Sequence, residues 1–344
     1  MPRPGNRLLP GPFRPAIQLP MTWWEKAVLL AFVAGVAIVF GGSTLILARA
    51  LVRLVLRRPA QRLSHRIRWT HRILLALAGV GAACIAYGWL VEPYRLTQTR
   101  LRIECPKLPA GSSPLRVAFL SDLHCVSTRR LEDRIVEAIG DFKPDLILFG
   151  GDALSRADGL DNLRRCLGQL ARIAPTYAVR GNWDFRLPTD EFYREVHVTL
   201  LTREVVTLDL GGRRVRLAGL SAMLTDQAAA FSAGIPQDQP VIFLHHYPGA
   251  IYDAAGRADL YLCGHTHGGQ IALPFYGALI TLSRYGKRFE SGPYRVNGTN
   301  MYVTRGIGME GGGTPPIRFM APPEVVLIEL APPTAQAAAA NRQD

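Results

Sequence analysis

The 344-residue sequence predicts an α/β fold: a four-layer α/β sandwich of two mixed β-sheets flanked by helices, preceded by two transmembrane helices. Strand-like and helix-like segments alternate over residues 115–179, which is typical of parallel βαβ units. Residues 198–220 instead alternate with period two around Gly211-Gly212, which predicts a hairpin in a second sheet. Two facing sheets with helices outside them would give four layers.

The two predicted spans are long stretches without formal charge. Residues 27–47 contain 21 such residues, and residues 73–91 contain 19 more. Each stretch is long enough to cross a bilayer as a helix. Aromatic residues, which favour membrane interfaces, lie near both spans: Trp23, Trp24, Tyr87, Trp89 and Tyr94. A cleaved signal peptide ending at Ala48-Arg49-Ala50 is the alternative, but the first stretch is too long for one and a second span follows.

The formal net charge of +13 is concentrated near the amino terminus. Residues 1–72 hold eleven Arg and one Lys against the single acid Glu25, a net +11, which leaves +2 for residues 73–344. The larger part of the chain is therefore close to neutral. This distribution does not support a nucleic-acid groove, and the sequence predicts no nucleic-acid partner.

The arginines also predict which way the spans cross the membrane. The linker between the spans holds eight of them: Arg49, Arg53, Arg57, Arg58, Arg62, Arg66, Arg68 and Arg72. The tail before Trp23 holds three. The positive-inside rule places the richer loop in the cytoplasm. The sequence thus predicts a multi-pass protein of the inner (cytoplasmic) membrane with its large domain outside the cytoplasm.

Five apolar runs each end in polar residues or histidines. The clearest run, residues 260–263, leads into Gly-His-Thr-His-Gly-Gly and supplies His265 and His267. The other four runs end in Ser121-Asp122-Leu123-His124, Gly150-Gly151-Asp152, Gly181-Asn182-Trp183-Asp184 and His245-His246-Tyr247-Pro248. Ligands of open α/β sheets collect at the carboxyl ends of strands. Oxygen donors mixed with imidazole suit divalent Mn, Fe or Zn ions.

The order D-x-H, G-G-D, G-N-x-D, H-x-P and G-H-x-H resembles the calcineurin-like metallophosphoesterase superfamily. Further segments resemble its bacterial membrane-anchored branch: Glu92-Pro93-Tyr94, the extended GHTHGGQ, Tyr302-Val303-Thr304-Arg305-Gly306, Pro316-Ile317-Arg318-Phe319 and Pro323-Glu324. The resemblance covers residues 92–331. It implies the same four-layer sandwich. It divides the chain into an N-terminal membrane anchor (1–97), a catalytic domain (98–332) and a tail (333–344) that we expect to be disordered.

The resemblance also implies two divalent metal ions sharing one carboxylate. The first ion would be held by Asp122, His124 and His267, the second by Asn182, His246 and His265, with Asp152 bridging. Two such ions would polarise a phosphoryl group and activate a bridging water, the expected nucleophile for in-line attack on phosphorus. Their identity as Mn, Fe or Zn stays open.

One residue departs from the family pattern. The family places a histidine at the position of Trp183, where it protonates the leaving oxygen and contacts phosphate. Indole has one N–H donor and no titratable proton in this range, so the general acid is left unassigned. Asp184 is expected to orient the loop, and the predicted catalytic residues are Asp152, Asn182, Trp183 and Asp184. Adjacent strand residues point to opposite faces, so His246 is the expected ligand and His245 is expected either to be packed in the interior or to support the ligands from behind.

Arg305 has two possible roles, that of a bidentate phosphate clamp and that of a partner in a structural salt bridge.

The predicted function is a membrane-anchored, binuclear phosphoesterase that hydrolyses a phosphodiester, pyrophosphate or monoester. The spans favour a lipid-linked substrate, and the oligomeric state is open. One alternative is a lipid-precursor pyrophosphatase resembling the UDP-diacylglucosamine hydrolases, which needs a cytoplasmic catalytic domain. Another is a metal-binding membrane sensor or scaffold with weak turnover.

Overall fold

The computed structural model describes residues 21–59, 62–185, 187–281, 283–310 and 316–333. The predicted tail, residues 333–344, lies outside these ranges except for Pro333. The seven helices of the described residues, apart from short 3₁₀ turns, are α1 (Trp23–Val55), α2 (His65–Leu90), α3 (Glu132–Phe142), α4 (Leu160–Ile173), α5 (Asp190–Glu195), α6 (Ala228–Ala233) and α7 (Ile251–Ala254).

The described strands form two large sheets and one small hairpin. They are β1 (Thr97–Glu104), β2 (Leu115–Leu120), β3 (Leu146–Phe149), β4 (Thr176–Ala178), β5 (Thr199–Leu200), β6 (Arg203–Asp209), β7 (Arg214–Leu220), β8 (Val241–His245), β9 (Leu260–Cys263), β10 (Ala272–Leu273), β11 (Gly277–Ala278), β12 (Gly292–Val296), β13 (Thr299–Val303) and β14 (Glu324–Ala331). All five predicted apolar runs are strands.

Helices α1 and α2 are both long and apolar enough to cross a membrane. They pack against each other in antiparallel fashion, because the Ser43 hydroxyl donates to the Leu74 carbonyl at 3.0 Å while Phe40 lies against Gly81. Only 6% of the most apolar window of each helix is buried. Helix α1 extends beyond its predicted span at both ends, whereas α2 begins earlier than predicted, at His65, and ends at Leu90. At its start, α1 gains a capping box between Thr22 and Glu25, a local feature that stabilises helix ends.

Both large sheets are mixed, as predicted. In the first, with strand order β1-β14-β2-β3-β4-β5, strands β2 to β5 are parallel and β14 is antiparallel to β2. In the second, with order β12-β13-β9-β8-β7-β6, the four central strands are parallel and the two edge strands are antiparallel. The predicted hairpin is β6 and β7. Strand β5, just before it, belongs to the first sheet.

The sheets lie face to face with helices outside, which confirms the four-layer sandwich. Alternate residues of each strand belong to different cores because their side chains point to opposite faces. Ile147 of β3 packs with helices α3 and α4, whereas Leu148 packs between the sheets. Phe243 of β8 packs with α6 and α7, whereas Leu244 packs between the sheets.

The spacing of Leu131, Ile135 and Ile139 predicts a helix from Arg129 to Ile139, whereas α3 begins three residues later, at Glu132, and continues to Phe142. The carboxylate of Glu132 accepts hydrogen bonds from the backbone N–H groups of Arg130 at 2.7 Å and Leu131 at 2.9 Å. These two bonds hold the preceding residues in a loop. Such side-chain bonds to the backbone compete with helical ones, so the apolar spacing alone did not locate the helix start.

Strand β1, at one side of the first sheet, follows helix α2, and its first residue lies at the edge of the domain where α2 ends. Thr97 of β1 pairs with Glu324 of β14, and Val326 of β14 pairs with Phe119 near the end of β2. Strands β1 and β14 therefore start where the parallel strands β2, β3 and β4 end. The chain reaches this edge from α2 through a single 3₁₀ turn, Glu92–Tyr94.

Candidate metal centre

The five loops after the parallel strands meet at this edge and bring the predicted ligands together. Two clusters form, each with ligand atoms within 4.8 Å of one another: Asp122, His124 and His267 in one, and Asp152, His246 and His265 in the other. The seventh predicted ligand adjoins the second cluster, with the Oδ1 atom of Asn182 lying 3.0 Å from Nε2 of His246.

Asp152, a member of the second cluster, also reaches the first. Its Oδ2 atom is 3.2 Å from Nε2 of His246 and 3.7 Å from Nε2 of His124, one histidine from each cluster. The carboxylate is buried, and its Oδ1 atom also accepts the backbone N–H of Trp183 at 2.8 Å. A carboxylate that reaches one histidine of each cluster could be shared by two ions.

Five of the predicted ligands have left-handed backbones. The φ angles are 54° for Asp122, 43° for His124, 55° for Asp152, 74° for His265 and 52° for His267. A positive φ is uncommon for residues other than glycine, and such strain concentrates at functional sites. The abrupt turn after each strand aims these side chains at the common centre.

Two glycines of the motifs leave room for carboxylates. A Cβ atom on Gly181 would lie 2.1 Å from Oδ1 of Asp152, and one on Gly264 would lie 2.2 Å from Oδ2 of Asp122. Neither distance is possible without moving the carboxylate. The glycines of G-N-x-D and G-H-x-H are therefore required by close approach.

Asp184 holds the loops that carry Asp152 and Asn182. Its buried carboxylate accepts the backbone N–H groups of Asp152 at 2.7 Å, Ala153 at 2.8 Å and Gly181 at 2.8 Å. Burial, with a smaller contribution from the charge of Asp152, raises the pKa of Asp184 to about 6. Its contacts are those of a residue that positions the loop.

His245 points away from the centre. Its Nδ1 atom lies 2.7 Å from the Leu220 carbonyl oxygen and its Nε2 atom 3.2 Å from the Thr225 hydroxyl. Burial lowers the pKa of His245 to about 4, so the ring is neutral at pH 7. The structure thus places His245 in the packed interior beside the predicted ligand His246.

Trp183 lies over the first cluster and contacts a carboxylate that the sequence analysis missed. Its ring packs edge-on against His124, with ring centres 5.6 Å apart, and its indole N–H donates to Oε1 of Glu310 at 3.3 Å. The side chain of Gln270 accepts the backbone N–H of Glu310 at 2.8 Å and donates to the Glu310 carbonyl at 3.2 Å. Burial, followed by the charge of Asp152, raises the pKa of Glu310.

The sequence signal at Glu310 is weak, because the apolar run of residues 301–303 ends seven residues before it and no polar residue type next to Glu310 marks a site. The nearest signal is Gln270, the last residue of GHTHGGQ, whose partner is 40 positions away.

The donor groups fit divalent cations. Nε2 of His124 is buried and has no hydrogen-bond partner among the described residues. Burial lowers the pKa of His124 to about 4, which keeps that lone pair unprotonated, and raises the pKa of Asp122 to about 7. Burial also acts to lower the pKa of His246, but Asp152 raises it to about 9. Buried groups with perturbed pKa values cluster at functional sites, and this set of imidazole and carboxylate donors suits divalent cations.

Two arginines near the centre have structural partners. Arg305 forms an ion pair with Glu324 at 3.0 Å and donates to the Pro322 carbonyl at 3.0 Å, which corresponds to the salt-bridge reading. Arg318, to which the sequence analysis assigned no role, is fully buried. It lies 3.3 Å from Nδ1 of His267 and donates to the carbonyls of Gly308 and Ala321.

Comparison with known proteins places the motifs in one family. The family model for the calcineurin-like phosphoesterases matches residues 115–269, which include all five motif loops. An uncharacterized metallophosphoesterase of Bacillus subtilis, YkuE, is 30% identical over 268 residues, covering 74% of this chain and 92% of YkuE. Phosphodiesterase YaeI of Escherichia coli is 30% identical over 276 residues, covering 75% of this chain and 98% of YaeI.

A third relative carries a membrane description. A transmembrane protein with a metallophosphoesterase domain from Danio rerio is 28% identical over 280 residues. The match covers 73% of this chain and 61% of that protein.

Proposed function

The chain belongs to the calcineurin-like phosphoesterase family and is a metal-dependent phosphoester hydrolase, and we propose that it cleaves phosphodiesters at a two-metal centre while anchored in a membrane. The observation that carries the two-metal proposal is the position of Asp152 between two ligand clusters. A phosphodiester is favoured because YaeI, to which the chain is 30% identical, is a phosphodiesterase.

The proposed ligands are Asp122, His124 and His267 for one ion, Asn182, His246 and His265 for the other, and Asp152 for both. Bound divalent ions of the Mn, Fe or Zn class would supply the positive charge that attracts and polarises a phosphoryl group. The chain orients two of the imidazoles through their other ring nitrogens. Nδ1 of His124 lies 3.1 Å from the Ser155 hydroxyl, and Nδ1 of His246 lies 2.9 Å from the Gly150 carbonyl.

Glu310 is our proposed proton donor to the leaving oxygen. Its carboxyl group is hydrogen-bonded to the indole of Trp183, the residue that replaces the family's acidic histidine. An indole cannot release a proton in this range, whereas a carboxylic acid can. Trp183 would then orient Glu310 through its single indole N–H. Asp184 would position the loop that carries Trp183.

The membrane anchor is supported by three observations. The structure has two helices of spanning length, their apolar surfaces are largely exposed, and one relative is a transmembrane protein. We propose the inner membrane, with the catalytic domain outside the cytoplasm as the arginine distribution predicts. The alternative lipid-precursor pyrophosphatase requires the opposite orientation. The scaffold alternative requires bound metal without turnover.

The test uses the full chain purified in detergent. We expect turnover of bis(p-nitrophenyl) phosphate with Mn²⁺, its loss on chelation, and its recovery on adding metal back. Turnover of p-nitrophenyl phosphate and of a nucleotide pyrophosphate, measured in parallel, ranks the substrate classes. Metal binding with no turnover of any of the three would contradict the proposal and favour the scaffold.

A further inference from the structure

A short hairpin lies between the metal centre and the ends of helices α1 and α2. Strands β10 and β11 follow the GHTHGGQ motif, and Phe275 is at the tip of the turn between them. The Phe275 ring is fully exposed, and its φ is +62°. An aromatic residue at positive φ is strained, and neither the strain nor the exposure helps the domain to fold. Such a residue points to a contact made outside the domain.

One side of this hairpin lies next to the start of α1. The Tyr276 ring is 4.1 Å from Nζ of Lys287, whose backbone N–H donates to Oε1 of Glu25 at 3.2 Å. Trp23 and Trp24, at the first residues of α1, are exposed. Phe275 is therefore close to the level at which α1 presents its interfacial aromatic residues.

The base of the hairpin is attached to the end of α2. Ile271 forms a β-bridge with Phe319, whose ring packs edge-on against Tyr87 with ring centres 6.3 Å apart. The backbone N–H of Arg318 donates to the Gly88 carbonyl at 3.0 Å. The hairpin thus has contacts, direct or through one neighbouring segment, with the domain-side ends of both helices.

The metal centre is at the same edge of the domain. The parallel strands end there, the ligands lie in the loops that follow, and α2 enters there through residues 92–94. If α1 and α2 cross a bilayer, the metal centre lies at the edge of the domain that faces the bilayer surface. The β6–β7 turn, at the amino end of β7, is at the opposite edge.

We propose that the hairpin of residues 272–278 inserts Phe275 into the interfacial layer of the bilayer that holds α1 and α2, and that the metal centre takes phosphoesters carried on lipids. The proposal rests on the proposed function for the anchor and for hydrolysis. Its occupant is the lipid surface, because the exposed aromatic ring belongs to a hairpin whose neighbouring segments pack on the two helix ends, and these ends bear exposed aromatic residues of the kind that favour membrane interfaces.

The first measurement is the depth of position 275. The background is the full chain with Cys84→Ala, because the other four cysteines are buried. A single labelling site is then introduced by Phe275→Cys or, as a matched control, by Arg214→Cys at the opposite edge. Each is labelled with an environment-sensitive fluorophore and reconstituted in phosphatidylcholine vesicles. We expect nitroxide-bearing lipids to quench the label at position 275 and not at 214. Equal, weak quenching at both positions would overturn the insertion.

The second measurement compares two substrates in the same vesicles: water-soluble bis(p-nitrophenyl) phosphate and a diacylglycerol phosphodiester of p-nitrophenol. Phe275→Ser should reduce turnover of the lipid substrate about tenfold, because insertion of a phenyl ring increases the affinity of the hairpin for the bilayer surface by about this factor. Turnover of the soluble substrate should stay unchanged. Phe275→Trp should restore the lipid rate.

An equal effect of Phe275→Ser on both substrates, or none on either, would overturn the lipid-substrate inference. Wild-type protein without turnover of either substrate would refute the proposed function instead, while the quenching still decides whether the hairpin inserts.

Discussion

At position 183 an indole occupies the place of an acidic histidine, and the structure provides a carboxyl group beside it. Glu310 receives the indole N–H at 3.3 Å, and burial raises the pKa of its carboxyl group. The sequence motif revealed the substitution at Trp183 but not its partner, because Glu310 belongs to a segment distant in the chain. Residues that follow strand ends could be predicted from local patterns, whereas a contact of this range could not.

Replacing Glu310 by Gln keeps its shape and removes its proton. Esters with high leaving-group pKa need protonation and should lose about 10²–10⁴-fold in kcat, whereas nitrophenyl esters should lose little. Measuring rates over a series of aryl and alkyl phosphodiesters gives the slope against leaving-group pKa. Glu191→Gln, an exposed change on α5, is the control. Equal slopes for wild type and Glu310→Gln would remove Glu310 from the role of acid.

Among the elements, the strand–loop junction was the most predictable. All five apolar runs are strands, and six of the seven predicted ligands fall into two clusters with the seventh beside them. The reason is physical: strands buried on both faces are continuous apolar runs, and the polar residue that ends each run marks the sheet edge. The local pattern misplaced two elements. The start of α3 depends on side-chain hydrogen bonds of Glu132, and the location of strand β5 depends on its pairing with β4 in the first sheet.

The close approach at Gly181 makes a prediction about one junction. Gly181→Ala would bring a methyl group within 2.1 Å of Oδ1 of Asp152, so the carboxylate must move and turnover should fall by at least about 10²-fold. Gly168→Ala in α4 is the matched control, because its Cβ would meet nothing within 4 Å. That variant should keep its activity and gain about 1 kcal/mol in stability, measured by denaturant unfolding. Full activity of Gly181→Ala would contradict the assigned packing.

For the whole molecule, the contacts of the helices with the domain agree with the charge distribution. Glu25 at the start of α1 and Gly88 at the end of α2 both contact the domain, so the arginine-rich loop lies at the far end of the antiparallel pair. A membrane across the pair would separate that loop from the domain. The sequence alone predicts on which side of the membrane the arginine-rich loop lies. It does not predict that the domain packs on the helix ends through the same edge that bears the metal centre.

A topology experiment tests this arrangement. A reporter enzyme active only outside the cytoplasm, fused after Asp344, should be active if the domain lies outside, as the arginine distribution predicts. The same reporter fused within the arginine-rich loop, next to Arg62, should be silent. Equal expression of the two fusions, checked by immunoblotting, is the control. The reverse pattern would place the domain in the cytoplasm and favour the lipid-precursor pyrophosphatase.

The central claim is that Asp152 joins two metal ions in one hydrolytic centre. It is tested most directly by counting metal per chain in wild type and Asp152→Asn, by elemental analysis of Mn²⁺-loaded, desalted protein, with turnover of bis(p-nitrophenyl) phosphate measured on the same samples. We predict two ions per wild-type chain, one or none in the variant, and turnover at background in the variant. A single ion in active wild type, or two ions with wild-type turnover in Asp152→Asn, would contradict the account.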